Sequence, residues 1–554
     1  MQPTGSILLV QEHFRGNDPR FLDELRACRG ATSLKGFARR WYEDTRPFAR
    51  EFLLRYVDDG CDNPHHRPLV KGLFKLAEAE GDSEVMAHFM VAFDRILRRR
   101  LVGRAAYNWR TRQPTTLYTL QNLPIAGGFS HKTRGYLRRR SWRYFRTLSP
   151  DDPAKYRRDL SAALALYRDE HFKKSEQLLD AWGLIHALYW GSPVLRRPPH
   201  NARLSSNRRL EELEFAPYRQ EAWLDAFEDI LALMLSARAG VVRSFAVWLL
   251  RTHYAETIRG VDAWRLAPLL THASPEIQSL GVEMLQTAVG LETLSLDRWL
   301  TLLRTDNLEA ALLLCERFAH HVTPERLSLE QRVALAREPM VPVARLGLDW
   351  AMQPPILGED DLTTVLALAE AAAPEVRSSA SAWLVQVLEE AHFARAEHLL
   401  ELLDARYPEP RAAAMATLDT SDRFGDELRI WAALAESPYP EVRDFLIGRL
   451  PAWVDRFDAR TLQHLWASSL LAIHRGSRAK RSTLRQVSDR VVAVPEEADA
   501  LLPLMRIALR SVRDAERRAG LGAVCRAAFR NPALADAVGR HLPELDLSPD
   551  GAEA

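Results

Sequence analysis

At 554 residues the chain is too long for one ordinary core, so it must hold several domains or one repetitive array. An apolar content of 47% excludes wholesale disorder, and no apolar run approaches the ~20 residues needed to span a bilayer, so no membrane partner is expected. The net charge of +2 conceals a division: residues 1–210 carry 38 Lys/Arg against 22 Asp/Glu, a net of +16, and residues 211–554 carry 37 against 51, a net of −14.

From the amino terminus, MQPTGSILLVQEHFRG offers no basic leader before a long apolar core, so no secretory signal is expected. Cys28, Cys61, Cys315 and Cys525 form no CxxC pair, which fits free, buried thiols in a reducing cytoplasm, the expected location. Apolar residues recur at helical spacing through nearly every segment. Alternating strand-forming runs with hairpin turns are almost absent, so little sheet is expected. Residues 1–191 read as a basic, irregular helical block. Within it, DDGCDNPHHRP gathers ligand-type side chains at Cys61, Asp62, His65 and His66. Zinc sites usually need four ligands with paired spacing, and no second half is evident. A polar interhelical turn is the preferred reading, and no metal or other cofactor is expected.

Residues 95–150 hold 14 Lys/Arg and no Asp/Glu. Inside this window SHKTRGYLRRRSWRYFRTL, residues 130–148, predicts one helix, capped by Ser130 and ended by Ser149-Pro150. On a helical wheel Leu137, Ser141, Tyr144, Phe145 and Leu148 form a core stripe. Arg139, Arg143 and Arg146 fall opposite, Trp142 and Tyr136 lie at the borders of that basic side, and Arg138 and Arg140 flank the core stripe. Two readings stay open. In one, the arginines pair with acids elsewhere, such as those of DDPAKYRRDL, and Trp142 packs on a neighbouring repeat. In the other, the arginines face phosphates and Trp142 or Tyr136 stacks on a base. Arg98, Arg99, Arg100, Arg104, Arg110, Arg112, Lys132 and Arg134 extend the same field. Residues 192–210 then read as an exposed loop, either a solvated linker or a basic arm carrying Arg196, Arg197 and Arg203.

From residue 236 one phrase returns: a turn, often with Pro, then an amphipathic helix with Arg in its early turn. Equivalent positions are Arg243, Gln278, Ala310, Arg345, Arg377, Arg411 and Arg443, at steps of 35, 32, 35, 32, 34 and 32 residues. Looser copies fall near Lys480 and Arg517, and an earlier one begins at Asp82. Such a period marks a helical solenoid, in which stacked neighbours bury the faces that each pair leaves open. The unit at Ala310 lacks both Pro and Arg and is expected to be distorted. The array is placed at 211–545, with a frayed tail at 546–554.

PEVRSSASAWL at Pro374–Leu384 and PEVRDFLIGRL at Pro440–Leu450 resemble HEAT-repeat (armadillo-like) proteins, firmly over 236–453. The resemblance implies an all-α, right-handed stack of helix pairs, and usually a scaffold without catalysis. TRGYLRRRSWRYFRTL is also similar to segments of bacterial HEAT-type proteins of multi-component systems, some near AAA+ ATPases, over about 95–175; this implies one subunit of a larger machine, for example in defence.

No phosphate loop, dinucleotide fingerprint, HExxH, GxSxG or kinase set occurs. The expectation is a non-enzymatic scaffold whose acidic array binds a protein partner and whose basic block takes an anionic one. The alternative is a binder of RNA or single-stranded DNA.

Overall fold

In the computed structural model all residues are described except 1–4, 97–98, 123–127, 149–151, 173–174, 197–201, 206–207, 422, 426, 472–476 and 546–554; at 99–103, 117–122, 175–176 and 477 only the backbone is described. The described residues form 29 α-helices, short 3-10 turns and two small antiparallel strand pairs. The chain divides into two compact units, Met1–Leu302 and Leu303–Ala554. The expected frayed tail lies outside the described residues.

The second unit is a two-layered stack. In one layer Leu308–His321, Val341–Ala351, Pro374–Glu390, Pro408–Thr420, Pro440–Trp453, Ser477–Ala493 and Asp514–Arg530 each pack on the next. In the other, Leu329–Ala336, Glu359–Leu366, Ala396–Leu403, Leu428–Glu436, Ala459–Leu471, Ala498–Leu509 and Ala535–His541 do the same. Buried Leu, Val and Ala from both layers make one continuous core from Val333 to Leu542. This is the α-solenoid expected from the period. Close approach matters locally: a Cβ at Gly347 would sit 2.2 Å from the Ala336 nitrogen, so only glycine lets these two helices meet.

The repeated phrase has a mechanical meaning. Proline occupies the first turn, where its missing N–H costs nothing. The arginine folds back onto carbonyls of the turn that follows the preceding helix. Arg377 donates from Nε to Ala371 O at 2.8 Å, and Arg411 donates from Nη1 to Ala405 O at 2.6 Å and Arg406 O at 2.9 Å. Each guanidinium is then covered by the next repeat. Arg377 lies 3.5 Å from the centre of the Tyr407 ring, and Arg411 lies 3.6 Å from that of Tyr439. Glu409 and Glu441 pair with the same two arginines, the Arg411 Nε to Glu441 distance being 3.0 Å. The YPE–R spelling therefore welds one repeat to the next. Arg411→Ala removes hydrogen bonds to a charged donor in a buried setting and should cost about 2 kcal/mol. Arg411→Lys should recover less than half, because lysine lacks the planar fork. Thermal unfolding of the two variants reads this, and equal stability of Arg411→Ala and wild type would refute the weld.

The unit at Ala310 is not distorted. Asn307 supplies the cap instead, accepting from Ala310 N at 2.9 Å, and a helix of 14 residues follows. An Asx cap does locally what Pro and Arg do elsewhere.

In the first unit the helix Ser83–Arg95 is the hub. Its residues Val85 to Asp94 are all buried, and it packs on Pro47–Gly60, Arg67–Ala79, His131–Leu148, Pro153–Ala165 and Trp182–Leu188. The first array helices continue the same stack, as Phe227–Ser236 packs on Pro153–Ala165.

One element departs from the helical expectation. Between the hub and the basic helix, strands β1 (Arg99–Asn108) and β2 (Gln113–Asn122) form an antiparallel hairpin in unbroken register from Arg99↔Asn122 to Asn108↔Gln113. The strands lack a two-residue Asn-Gly turn. Instead Asn108 Oδ1 accepts from Arg110 N at 3.0 Å and Thr111 N at 3.3 Å, and Arg112 takes φ of 52°. An Asx turn thus replaces the usual hairpin signal.

Candidate anion-binding face

The basic helix spans His131–Leu148, and Ser130 Oγ accepts from Thr133 N at 3.3 Å, as its sequence predicts. Leu137, Ser141, Tyr144 and Phe145 are buried, again as predicted. Its arginines divide into two populations.

Arg134 and Arg138 are structural. Both are nearly fully buried. Arg134 Nε donates to Phe93 O, at the end of the hub helix, at 3.2 Å. Arg138 Nη1 donates to both the main-chain oxygen and Oδ1 of buried Asp180, each at 2.8 Å, and its guanidinium lies 5.5 Å from the Trp182 ring centre. Arg134 also approaches Asp180 at 3.6 Å. Arg140 pairs with Glu78, its Nε 2.8 Å from Oε1. Among the described residues, the acids that pair with the arginines of this helix include Asp180 and Glu78. In DDPAKYRRDL, Asp152 caps its own helix and Asp159 pairs with Lys155.

Trp142 is removed from the candidate stacking set. It is 3% exposed, packed on His186 and Tyr218, and its indole nitrogen finds no hydrogen-bond acceptor among the described residues. Arg134 leaves the candidate anion-binding set for the burial just given.

Lys132, Tyr136, Arg143 and Arg146 are exposed, Arg139 is half-buried, and these four cations make no ion pair among the described residues. Partial burial, and then the neighbouring charges of Arg138 and Arg143, lower the pKa of Arg139. Cations crowded in this way are relieved by an anion. Beside them Lys71, Phe74, Lys75, Tyr136, Leu137 and Arg140 line an open cavity of about 240 Å³. Lys71 lies 6.0 Å from the Tyr136 ring centre. Neither of these lysines was visible as part of the face from sequence, because they come from a different helix, Arg67–Ala79.

On the hairpin, Arg104, Arg110 and Arg112 are exposed and make no ion pair among the described residues. Arg98 and Arg197 lie outside the described residues, and only the backbone of Arg99 and Arg100 is described. The 192–210 stretch is partly packed rather than a plain exposed loop: Val194, Leu195 and Ala202 are buried, and Leu195–Arg196 pairs with Arg203–Leu204. Arg196 and Arg203 remain exposed.

Cys61, His65 and His66 do not form a ligand set. Cys61 is fully buried, and burial pushes its thiol up to about 12. His66 has both ring nitrogens engaged, Nδ1 with the Tyr56 hydroxyl at 2.7 Å and Nε2 with Cys28 O at 3.0 Å. His65 is exposed.

The fold defines an all-α repeat protein, with exposed arginines on one helix and on a hairpin of its first unit. No protein-family model and no curated protein matches the chain. Among solved structures, the chain is similar at 11% identity to a "circular tandem repeat protein with novel repeat topology and enhanced subunit contact surfaces", aligned over 92% of this chain and 99% of that one. The TM-score is 0.13. Among the described residues no helix is long and apolar enough to cross a membrane.

Proposed function

We propose that this protein is a non-catalytic scaffold, with an acidic repeat array that holds a protein partner and a basic first-unit face that holds a polyanion. The observation that carries the anionic half is the sorting of one helix's arginines. Those that meet acids are Arg134, Arg138 and Arg140, while Arg139, Arg143 and Arg146 stand together without acid partners among the described residues. The array half rests on the net charge of −14 over residues 211–554 and on repeated residues being spent on stacking.

The test is binding of a labelled oligonucleotide and of heparin across a salt series. Affinity should fall steeply with salt, and Arg139→Ala/Arg143→Ala/Arg146→Ala should reduce the log–log slope by about 2, for three lost contacts at ~0.7 each. Unchanged affinity in the triple variant would remove the face from the proposal. For the array, a protein partner should stay bound through nuclease treatment.

A further inference from the structure

The hairpin tip carries a feature that a purely electrostatic surface does not need. Tyr107 is 46% exposed and Trp109 is 84% exposed, and their ring centres lie 4.9 Å apart at 70°. Large aromatic side chains left in water on a loop tip cost free energy unless a partner covers them. The tip does not rest on the protein: from residue 104 to 116 every side chain is exposed except those of Ala106 and Asn108, which are half-buried. Strands of ten residues extend roughly 33 Å, so the rings stand at the end of an arm. The arm has five arginines and no Asp or Glu.

We infer that the hairpin tip is a stacking site for unpaired bases of single-stranded nucleic acid, with Tyr107 and Trp109 taking base faces and Arg104, Arg110 and Arg112 the adjoining phosphates. This rests on the polyanion reading of the first unit and specifies its ligand. Three details select the occupant. A ring gains from a base only where the base face is open, which duplex stacking prevents. Asn108, the tip residue best suited to read base edges, already spends its side-chain oxygen on the turn, so recognition is by face and tolerant of sequence. The rings are bordered mainly by Asn108, Arg110, Thr111, Arg112 and Gln113, and their apolar neighbours Ala106 and Pro114 are small, so the tip is poorly made for entering lipid.

The experiment uses the full chain and four probes at ~50 mM salt, where phosphate contacts are strong: a dT oligonucleotide of about 16 nucleotides, which suits a stacking groove, an abasic strand of equal length, a duplex of equal length, and phosphatidylserine vesicles. The dT strand should bind about tenfold or more tighter than the abasic one. Tyr107→Ala/Trp109→Ala should erase that excess and leave abasic affinity and salt slope unchanged, whereas Trp109→Phe should keep most of it. The two rings are exposed and touch each other, so their loss opens no core cavity; circular dichroism melting confirms this. Equal affinity for dT and abasic strands, untouched by the double variant, overturns the stacking site while leaving the polyanion face standing. Preference for the duplex or the vesicles overturns it as well. Failure to bind any of the four overturns both the stacking site and the polyanion face.

Discussion

Arg138→Ala is expected to destabilise the protein by about 4 kcal/mol, while Arg139→Ala, one residue on, should cost less than about 0.5 kcal/mol. The difference comes from what each guanidinium faces. Arg138 is 5% exposed and satisfies both the main-chain oxygen and the carboxylate of Asp180, itself 1% exposed. Its removal takes two 2.8 Å contacts away from the buried Asp180, which Arg134 approaches at a longer 3.6 Å, and opens space beneath Trp182. Uncompensated buried charge is costly in a way that a lost surface charge is not. The binding effects should run the opposite way, with Arg139 contributing to polyanion affinity and Arg138 acting only through folding. Urea unfolding of the two variants checks the pair, and a loss below about 1 kcal/mol at Arg138 would show that the cluster does not hold the unit together.

This contrast explains what the sequence could and could not reveal. The basic helix, its Ser130 cap and its apolar stripe are local features written in spacing, and the structure has them. The repeat positions are equally local: Arg377 and Arg411 begin their helices where the period puts them. Which arginine is buried is not local. The acids that decide it stand far along the chain, Glu78 62 residues before Arg140 and Asp180 42 residues after Arg138, so a window without acids in sequence is not one in space. Trp142 follows the same logic: of its two open readings the structure has the packed one, since the border where the wheel puts it is covered by Tyr218 and His186.

The hairpin was illegible for a different reason. Gly103, Ala105 and Ala106 dilute the alternation of strand formers in β1, and the turn is made by an Asn108 side chain rather than by a glycine. The surviving signal was a cluster of β-favouring residues on the second strand, Thr115, Thr116, Tyr118 and Thr119, which a helix-dominated chain made easy to pass over. Once formed, the arm places Tyr107 and Trp109 outside every repeat, where neither helical periodicity nor solenoid packing accounts for them.

Stability of the hub should fall as pH rises from about 4 to about 6, and Asp94→Asn should flatten that slope. Asp94 is fully buried at the end of the hub helix. Burial pushes its carboxyl up to about 6, although the Tyr167 hydroxyl, Arg138, the Leu184 N–H and Arg134 all favour the ionised form. The three donors converge on one oxygen: Tyr167 Oη at 2.6 Å, Gly183 N at 2.8 Å and Leu184 N at 3.1 Å all reach Oδ2. Oδ1 is buried without a hydrogen-bond partner among the described residues, so it is the oxygen that takes the proton. An unfolded aspartate titrates near 3.9, so between about pH 4 and 6 the folded chain binds more protons than the unfolded one. The stabilisation is complete below the unfolded pKa and is lost as pH rises through the folded one. A shift of about two units corresponds to about 3 kcal/mol. Amide hydrogen exchange in 83–95 and 182–188 reports the opening free energy where it matters. The wild-type value should decline relative to Asp94→Asn by that amount from pH 4 to pH 7, whereas parallel profiles would mean that the Asp94 proton is not what the hub titrates.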